Sequence, residues 1–388
     1  MAEAKGRRLW LGAHIAALAL GALMLNPACA AASPPCAEAV ALIKKGVELG
    51  DGSDREIDLY RQAETLCPKM AEAHFNIGLA LQKRGDLAQA EAELRQAIGL
   101  KDEENFRVGL GAVLLQKGEV SAARDQYDRV LERNSKNVAA LQGLAVILEK
   151  QQKLQEAVDT LQRAAVCDPS NATTQFNIGI LQEKLKRDEE AMAAYKRAGD
   201  LDPKQSLSFY YLGVAQARSG LLMEAERSLE RAVELRPDDA KVRLALAEVY
   251  EKRGQREKAE EALRKVVSLS PKNFYALANL GVLLTNAGRY EEAIAVLTRA
   301  GAIDPKSSRV WGALGHAQLE AGQMEDAERN LKQALSLDRS NANAHNNLGV
   351  LLQRSGNIDE ARRQFTEALQ LNPGLEVARK NLEVVGEE

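Results

Sequence analysis

The sequence predicts an all-α protein, a solenoid of repeated antiparallel helix pairs. Three periodic observations predict it. Pro169, Pro203, Pro237, Pro271 and Pro305 stand 34 residues apart, with Pro68 101 residues before the first and Pro373 68 after the last. A small residue keeps the same ruler at Gly78, Gly111, Ala145, Gly179, Gly213, Ala247, Gly281, Gly315 and Gly349. An alanine follows each after twelve residues, from Ala90 to Ala361, and a large residue four later: Leu94, Tyr127, Leu161, Tyr195, Leu229, Leu263, Leu297, Leu331 and Phe365. A fixed period of this length marks stacked supersecondary units, each unable to bury its apolar face alone.

Each part of the unit has a physical reason. Two apolar stretches of helical period flank a short polar turn, often with glycine, as at Gly85, Gly118, Gly220, Gly254, Gly288, Gly322 and Gly356. Small residues fall where the two helices cross, because interaxial distance follows side-chain size there. Proline closes the second helix, lacking an N–H and biasing the preceding residue out of helix. A weaker copy precedes the others: Tyr60, Ala63 and Pro68 fit, but Lys44 and Glu56 replace the small residues. After Pro373, Leu375, Ala378, Leu382 and Val385 share one side of a short amphipathic stretch, the pattern of a capping helix.

Small residue, alanine, large residue, alanine and proline in this order resemble the tetratricopeptide repeat (TPR) family, and Trp311 matches the family's tryptophan at repeat position 4. Ten repeats are counted: 37–70, 71–103, 104–137, 138–171, 172–205, 206–239, 240–273, 274–307, 308–341 and 342–375. The resemblance implies a right-handed superhelical solenoid over residues 37–373, with a capping helix and tail over 374–388.

Residues 1–32 read differently. Lys5, Arg7 and Arg8 precede an apolar run from Leu9 to Leu25, broken only by His14, and then a small-residue stretch ending in Ala30-Ala31-Ala32. This is the three-part layout of a secretory signal peptide. Three readings stay open: cleavage after Ala30 or Ala32, a retained membrane anchor, or lipid attachment at Cys29. For the last, Ala28 fits a bacterial lipoprotein signal while Asn26 and Pro27 depart from it. All three place the repeats outside the cytoplasm, in the periplasm or cell envelope. Cys36 and Cys67 fall at the two ends of the first hairpin, which an antiparallel pair brings together. They form either a disulfide staple in an oxidising compartment or two unlinked thiols. Cys167 is expected to be a small buried residue.

No catalytic, metal or cofactor site is expected. HExxH, paired CxxC, P-loop, dinucleotide-glycine and GxSxG patterns are all missing from the sequence. His74 and His345 are expected to pack in the core. Net charge is −3 without a run of one sign, so nucleic acid is not an expected partner. Pairs such as Glu91/Arg95, Glu260/Arg264, Glu261/Lys265 and Glu328/Lys332 read as solvated helix surface.

The expected binding surface is the groove-facing side of each first helix, at repeat positions 2, 5, 6, 9, 12 and 13. Candidate peptide-binding residues are Asn76, Asn177, Asn279 and Asn347, with Phe75, Phe176, Tyr210 and Tyr211 beside them. Asparagine both donates to and accepts from an extended backbone, and the family resemblance implies that use. Basic residues at position 13, among them Lys83, Lys150, Lys184 and Arg354, are expected at the rim. Position 5 is never lysine and position 9 never asparagine, so the family's carboxylate clamp for chaperone tails is not expected. The functional expectation is a non-enzymatic scaffold of the bacterial cell envelope that binds extended peptide or protein segments in a concave groove. The alternatives are a self-associating structural scaffold and a substrate-recruiting arm for a separate envelope enzyme or export machine.

Overall fold

The computed structural model describes residues 34–387, and every regular element among them is a helix. The expectations on residues 1–32, including lipid at Cys29, lie outside the described residues. The helices are α1 Pro34–Leu49, α2 Asp54–Leu66, α3 Ala71–Arg84, α4 Leu87–Leu100, α5 Glu104–Lys117, α6 Val120–Arg133, α7 Val138–Lys150, α8 Leu154–Cys167, α9 Ala172–Lys184, α10 Asp188–Leu201 and α11 Ser206–Arg218. There follow α12 Leu222–Leu235, α13 Ala240–Lys252, α14 Arg256–Leu269, α15 Phe274–Asn286, α16 Tyr290–Ile303, α17 Ser308–Glu320, α18 Met324–Leu337, α19 Ala342–Arg354, α20 Ile358–Leu371 and α21 Glu376–Glu387. The chain divides between Ser208 and Phe209 into two compact units.

Within the first unit α1/α2, α3/α4, α5/α6, α7/α8 and α9/α10 pack as pairs, and α2, α4, α6 and α8 also pack on the first helix of the next pair. The second unit repeats the arrangement through α13/α14, α15/α16, α17/α18 and α19/α20, with α21 packed on α20. The periodic residues form the core. The large residue of every repeat from Leu94 to Phe365 is at most 1 % exposed, and Ala90, Ala123, Ala157, Ala191, Ala225, Ala259, Ala293, Ala327 and Ala361 are fully buried. On α21, Ala378 and Val385 are fully buried, with Val385 and Leu382 packed on Phe365 and Ala361.

Capping fixes where each first helix starts. The last residue of a repeat is the N-cap of the next: Asn137, Asn171, Asp239, Asn273, Ser307 and Asn341 each accept a backbone N–H from the first turn. Each such cap contributes about 1 kcal/mol. Position 4 ties down the preceding turn. Arg243, Trp311 and Arg379 donate to the carbonyls of Pro237, Pro305 and Pro373 at 2.7, 2.8 and 2.9 Å. His74 is 5 % exposed and hydrogen-bonds Glu93 at 2.8 Å, while the half-buried His345 bonds Gln364 at 2.7 Å. Both histidines therefore join the two helices of one repeat.

The first repeat departs from the pattern in a self-consistent way. Glu56, in place of alanine, is 6 % exposed, accepts from the Gly52 N–H at 2.6 Å and from the Tyr60 hydroxyl at 3.1 Å. Burial, together with this carboxylate, pushes the Tyr60 phenol well above its usual range. The sulfurs of Cys36 and Cys67 are bonded, with Cα atoms 5.1 Å apart and a sequence separation of 31. Cys167 corrects the expectation: it is exposed, because the last residue of α8 points outward beyond the final helix crossing.

The turn inside each repeat requires a left-handed residue. Seven repeats use glycine, with φ between 71° and 96°, but Gln152 and Lys186 occupy the same place at φ 63° and 60°. An L side chain there costs about 1–2 kcal/mol, and glycine gives back part of that through unfolded-state entropy. Gln152→Gly and Lys186→Gly together are expected to stabilise the chain by about 1 kcal/mol, read as a higher urea midpoint at unchanged slope. A lowered midpoint would show that these side chains contribute more than their backbone strain.

Candidate functional site

Much of the groove-facing register is covered. In the first unit Val108, Gly109, Ala112, Gln142, Gly143 and Val146 are all buried, since small residues let adjacent first helices approach closely. Phe75 is 7 % exposed and its ring centroid is 4.7 Å from that of Phe106; Phe176 is 1 % exposed, 5.7 Å from Tyr195. Asn177 is 4 % exposed. Asn76 is half-buried and donates to its own helix at the Glu72 carbonyl, 2.6 Å away. The two phenylalanines are thus core members that present little surface to a ligand.

The second unit also buries its two candidate tyrosines but leaves Tyr275, Lys241 and Arg309 exposed on this face. Tyr210 and Tyr211 are 8 % and 7 % exposed, edge-to-face at 5.1 Å, and the exposed Lys241 ammonium lies 5.0 and 6.0 Å from their rings. The Asn279 side-chain oxygen accepts from Arg309 at 3.0 Å. The Asn347 oxygen accepts from Asn346 at 3.2 Å, and Asn346 in turn accepts from Asn381 on α21 at 3.0 Å. Tyr275 is 65 % exposed. Burial, reinforced by Glu248, raises the Glu251 carboxyl above its usual range, and Arg309 opposes the rise. Burial lowers the His316 imidazole.

Tyr275, Lys241 and Arg309 share repeat position 2, a groove position at which the sequence pattern singled out no residue. Its signal was available: alone among positions on this face, it lies in the first turn, ahead of the crossing with the next helix. Four of the position-13 bases bond within the chain. Lys150 donates to the Leu115 carbonyl at 3.4 Å, and Arg354 to the Leu319 carbonyl at 3.1 Å and to Glu320 at 2.9 Å. Lys184 pairs with Glu149, and Lys83 bonds the Gly50 carbonyl. Lys83, Lys150 and Arg354 thus reach carbonyls at or just past the C-terminal end of the preceding first helix, where carbonyls are orphaned and the dipole favours a cation, while Lys184 pairs with a carboxylate there.

Second helices carry further ion pairs. Arg264 meets Glu260 at 2.8 Å and Glu292 at 2.7 Å, and Lys332 meets Glu328 at 2.5 Å. Glu91 is buried between Arg95 and Lys117, which hold its carboxyl below the usual range. Among the described residues no three of His, Cys, Asp or Glu gather in a way that could hold a metal ion, and no helix is long and apolar enough to cross a membrane.

Stacked antiparallel helix pairs define a helical-repeat protein. Three tetratricopeptide-repeat family models match residues 71–104 and 172–205, 108–172 and 313–376, and 217–268 and 258–317. The chain belongs to the tetratricopeptide-repeat family. A TPR repeat-containing protein, PA4299, of Pseudomonas aeruginosa is 42 % identical over 65 residues, 16 % of this chain and 26 % of its own length. The BBSome complex member BBS4 of Bos taurus is 26 % identical over 124 residues, 32 % of this chain and 24 % of its own length. The chain thus spans about a quarter of the length of the curated relatives it matches. Among solved structures, YrrB, described as a TPR protein with an unusual peptide-binding site, is 24 % identical at TM-score 0.41, over 47 % of this chain and 95 % of that one. The Cut9–Hcn1 assembly is 20 % identical at TM-score 0.48, over 90 % and 76 %.

Proposed function

We propose that this protein is a non-enzymatic scaffold that binds extended peptide or protein segments along the groove-facing side of its first helices. The observation that carries the reading is the run of partly exposed amides and side chains at Asn279, Arg309, Tyr275 and Asn347 in the second unit. These groups offer donors, acceptors and apolar surface together, which an extended backbone with side chains requires. The finer reading is that the repeats work outside the cytoplasm, in the periplasm or cell envelope, with residues 1–32 as export signal or attachment. Its support is the three-part layout of that segment and the bonded pair Cys36–Cys67, a linkage that persists in oxidising compartments.

Changing Asn177, Asn279 and Asn347 to alanine tests the groove. Each asparagine that bonds a ligand should cost about 1 kcal/mol of binding, with melting hardly changed for Asn279 and Asn347. A partner captured from envelope extract that binds the triple variant as tightly as the parent would place the site on another face.

A further inference from the structure

Helices α19 and α21 of the second unit are joined by a chain of three amides. Asn381 donates to the Asn346 oxygen at 3.0 Å, and Asn346 donates to the Asn347 oxygen at 3.2 Å. Asn346 is 7 % exposed and stands at repeat position 5, where other repeats place Phe75, Phe176 and Leu244. A buried amide in an apolar place is tolerated because both of its ends are bonded. The outer ends of the chain are unused. Among the described residues the Asn347 Nδ2 and the Asn381 Oδ1 have no hydrogen-bond partner, and both side chains are half-buried. Reversing all three amides exchanges the two ends and still leaves one donor and one acceptor. On α21, Val377 and Val384 flank Asn381 at four- and three-residue spacing, so the three share one face. These valines are 57 % and 51 % exposed, although Ala378 and Val385 beside them are fully buried. Val377, Asn381 and Val384 continue repeat positions 2, 6 and 9, the groove-facing register of Asn343, Asn347 and Val350.

From this juxtaposition we infer that α19 and α21 hold the main chain of an extended segment with apolar side chains. The segment donates an N–H to Asn381, accepts from Asn347 at a carbonyl, and lays its apolar side chains on Val377 and Val384. The inference rests on the groove reading above and adds a place, the α21 end of the register, and a partner chemistry to it. Each residue of a main chain carries one donor and one acceptor, which is the pair the amide chain leaves open. Asn346 already holds both outer amides, so little side-chain freedom is lost when they bind. Two valines more than half exposed on one face gain by burial. A role confined to stapling α21 on α19 needs the Asn381–Asn346 bond, but neither the open amide ends nor the exposed valines.

The test uses the full chain and labelled octapeptides: alternating Ser and Val, alternating Ser and Gly, and the Ser/Val peptide N-methylated either at its serines or at its valines. Each methylation removes the N–H donors along one edge of an extended chain. The Ser/Val peptide is expected to bind about tenfold tighter than the Ser/Gly peptide. Val377→Ser with Val384→Ser should remove most of that preference, whereas Val166→Ser, at an 80 % exposed place on α8, should leave it intact. One of the two N-methylated peptides should bind the parent about fivefold more weakly than the Ser/Val peptide. In Asn381→Ala that penalty should vanish, because the methyl group and the substitution remove the same bond. Equal binding of the Ser/Val and Ser/Gly peptides, a preference that survives the valine double variant, or a methylation penalty that survives Asn381→Ala overturns the site; if Asn279→Ala still weakens the peptides, the groove stands without it. Binding that Asn279→Ala and Asn347→Ala both leave untouched overturns the groove itself. A parent chain that self-associates where the valine double variant does not would give the valine face to a second copy and overturn the peptide occupant. Hydrogen-exchange protection of α21 unchanged in the valine variant separates lost recognition from lost packing.

Discussion

Gly143→Val is expected to lower the unfolding free energy by about 2–3 kcal/mol, the cost of overpacking a filled crossing. Tyr127 is fully buried, and its ring is held between two glycines. A Cβ on Gly143 would lie 2.6 Å from ring atoms Cε1 and Cε2, and one on Gly111 would lie 2.7 Å from Cε1. The ring has nowhere to retreat, since Gly111 belongs to its own repeat and Gly143 to the next. Valine's helix preference over glycine returns only a few tenths of a kcal/mol, so sterics win. Gly99 supplies the contrast: it is helical, and an added Cβ there would meet nothing within 4 Å, so Gly99→Ala should stabilise by about 0.5–1 kcal/mol. Tyr127→Leu should rescue Gly143→Val in part, as leucine fills the equivalent place at Leu94 and Leu161. Urea unfolding of the four proteins measures both terms. A Gly143→Val protein as stable as the parent would mean that the two repeats separate freely.

Breaking the Cys36–Cys67 bond by Cys36→Ser and Cys67→Ser is expected to cost about 3–4 kcal/mol, from closing a loop of 31 residues in the unfolded chain. The loss should be local. Repeats contact only their neighbours, so a terminal repeat can unfold while the rest persists. Hydrogen exchange should therefore lose protection in α1 and α2, with the second unit unchanged. Non-reduced peptide mapping of protein from its native host reads two things at once: a linked Cys36–Cys67 peptide, and a mature chain that lacks roughly thirty N-terminal residues, the usual signal length. Free alkylation of both thiols together with a full-length N-terminus would sink the export proposal and the staple with it.

Much of the fold was legible because the periodic residues act through short-range sterics. Gly111 and Tyr127, sixteen residues apart, lie across one hairpin, so spacing alone says that they meet. The N-caps were equally legible, as Asn, Asp or Ser recurs at the end of six repeats. The candidate site was less legible. Phe75 and Phe176 occupy groove-facing positions, yet both are almost completely covered, Phe75 against Phe106 of the next repeat and Phe176 against Tyr195 of its own. Whether a residue on that face is open depends on packing partners that periodicity along one helix does not reveal.

By itself the sequence determined the class of element, the pairing within repeats and the family, because each rests on contacts within one hairpin. The tertiary structure decided the rest. It sent Lys150 and Arg354 back to the carbonyls of Leu115 and Leu319 rather than to a ligand. It left Tyr275 open and turned Cys167 outward. Those outcomes depend on how successive repeats rotate and approach. That geometry is the sum of many small packing choices, and no single spacing in the chain records it.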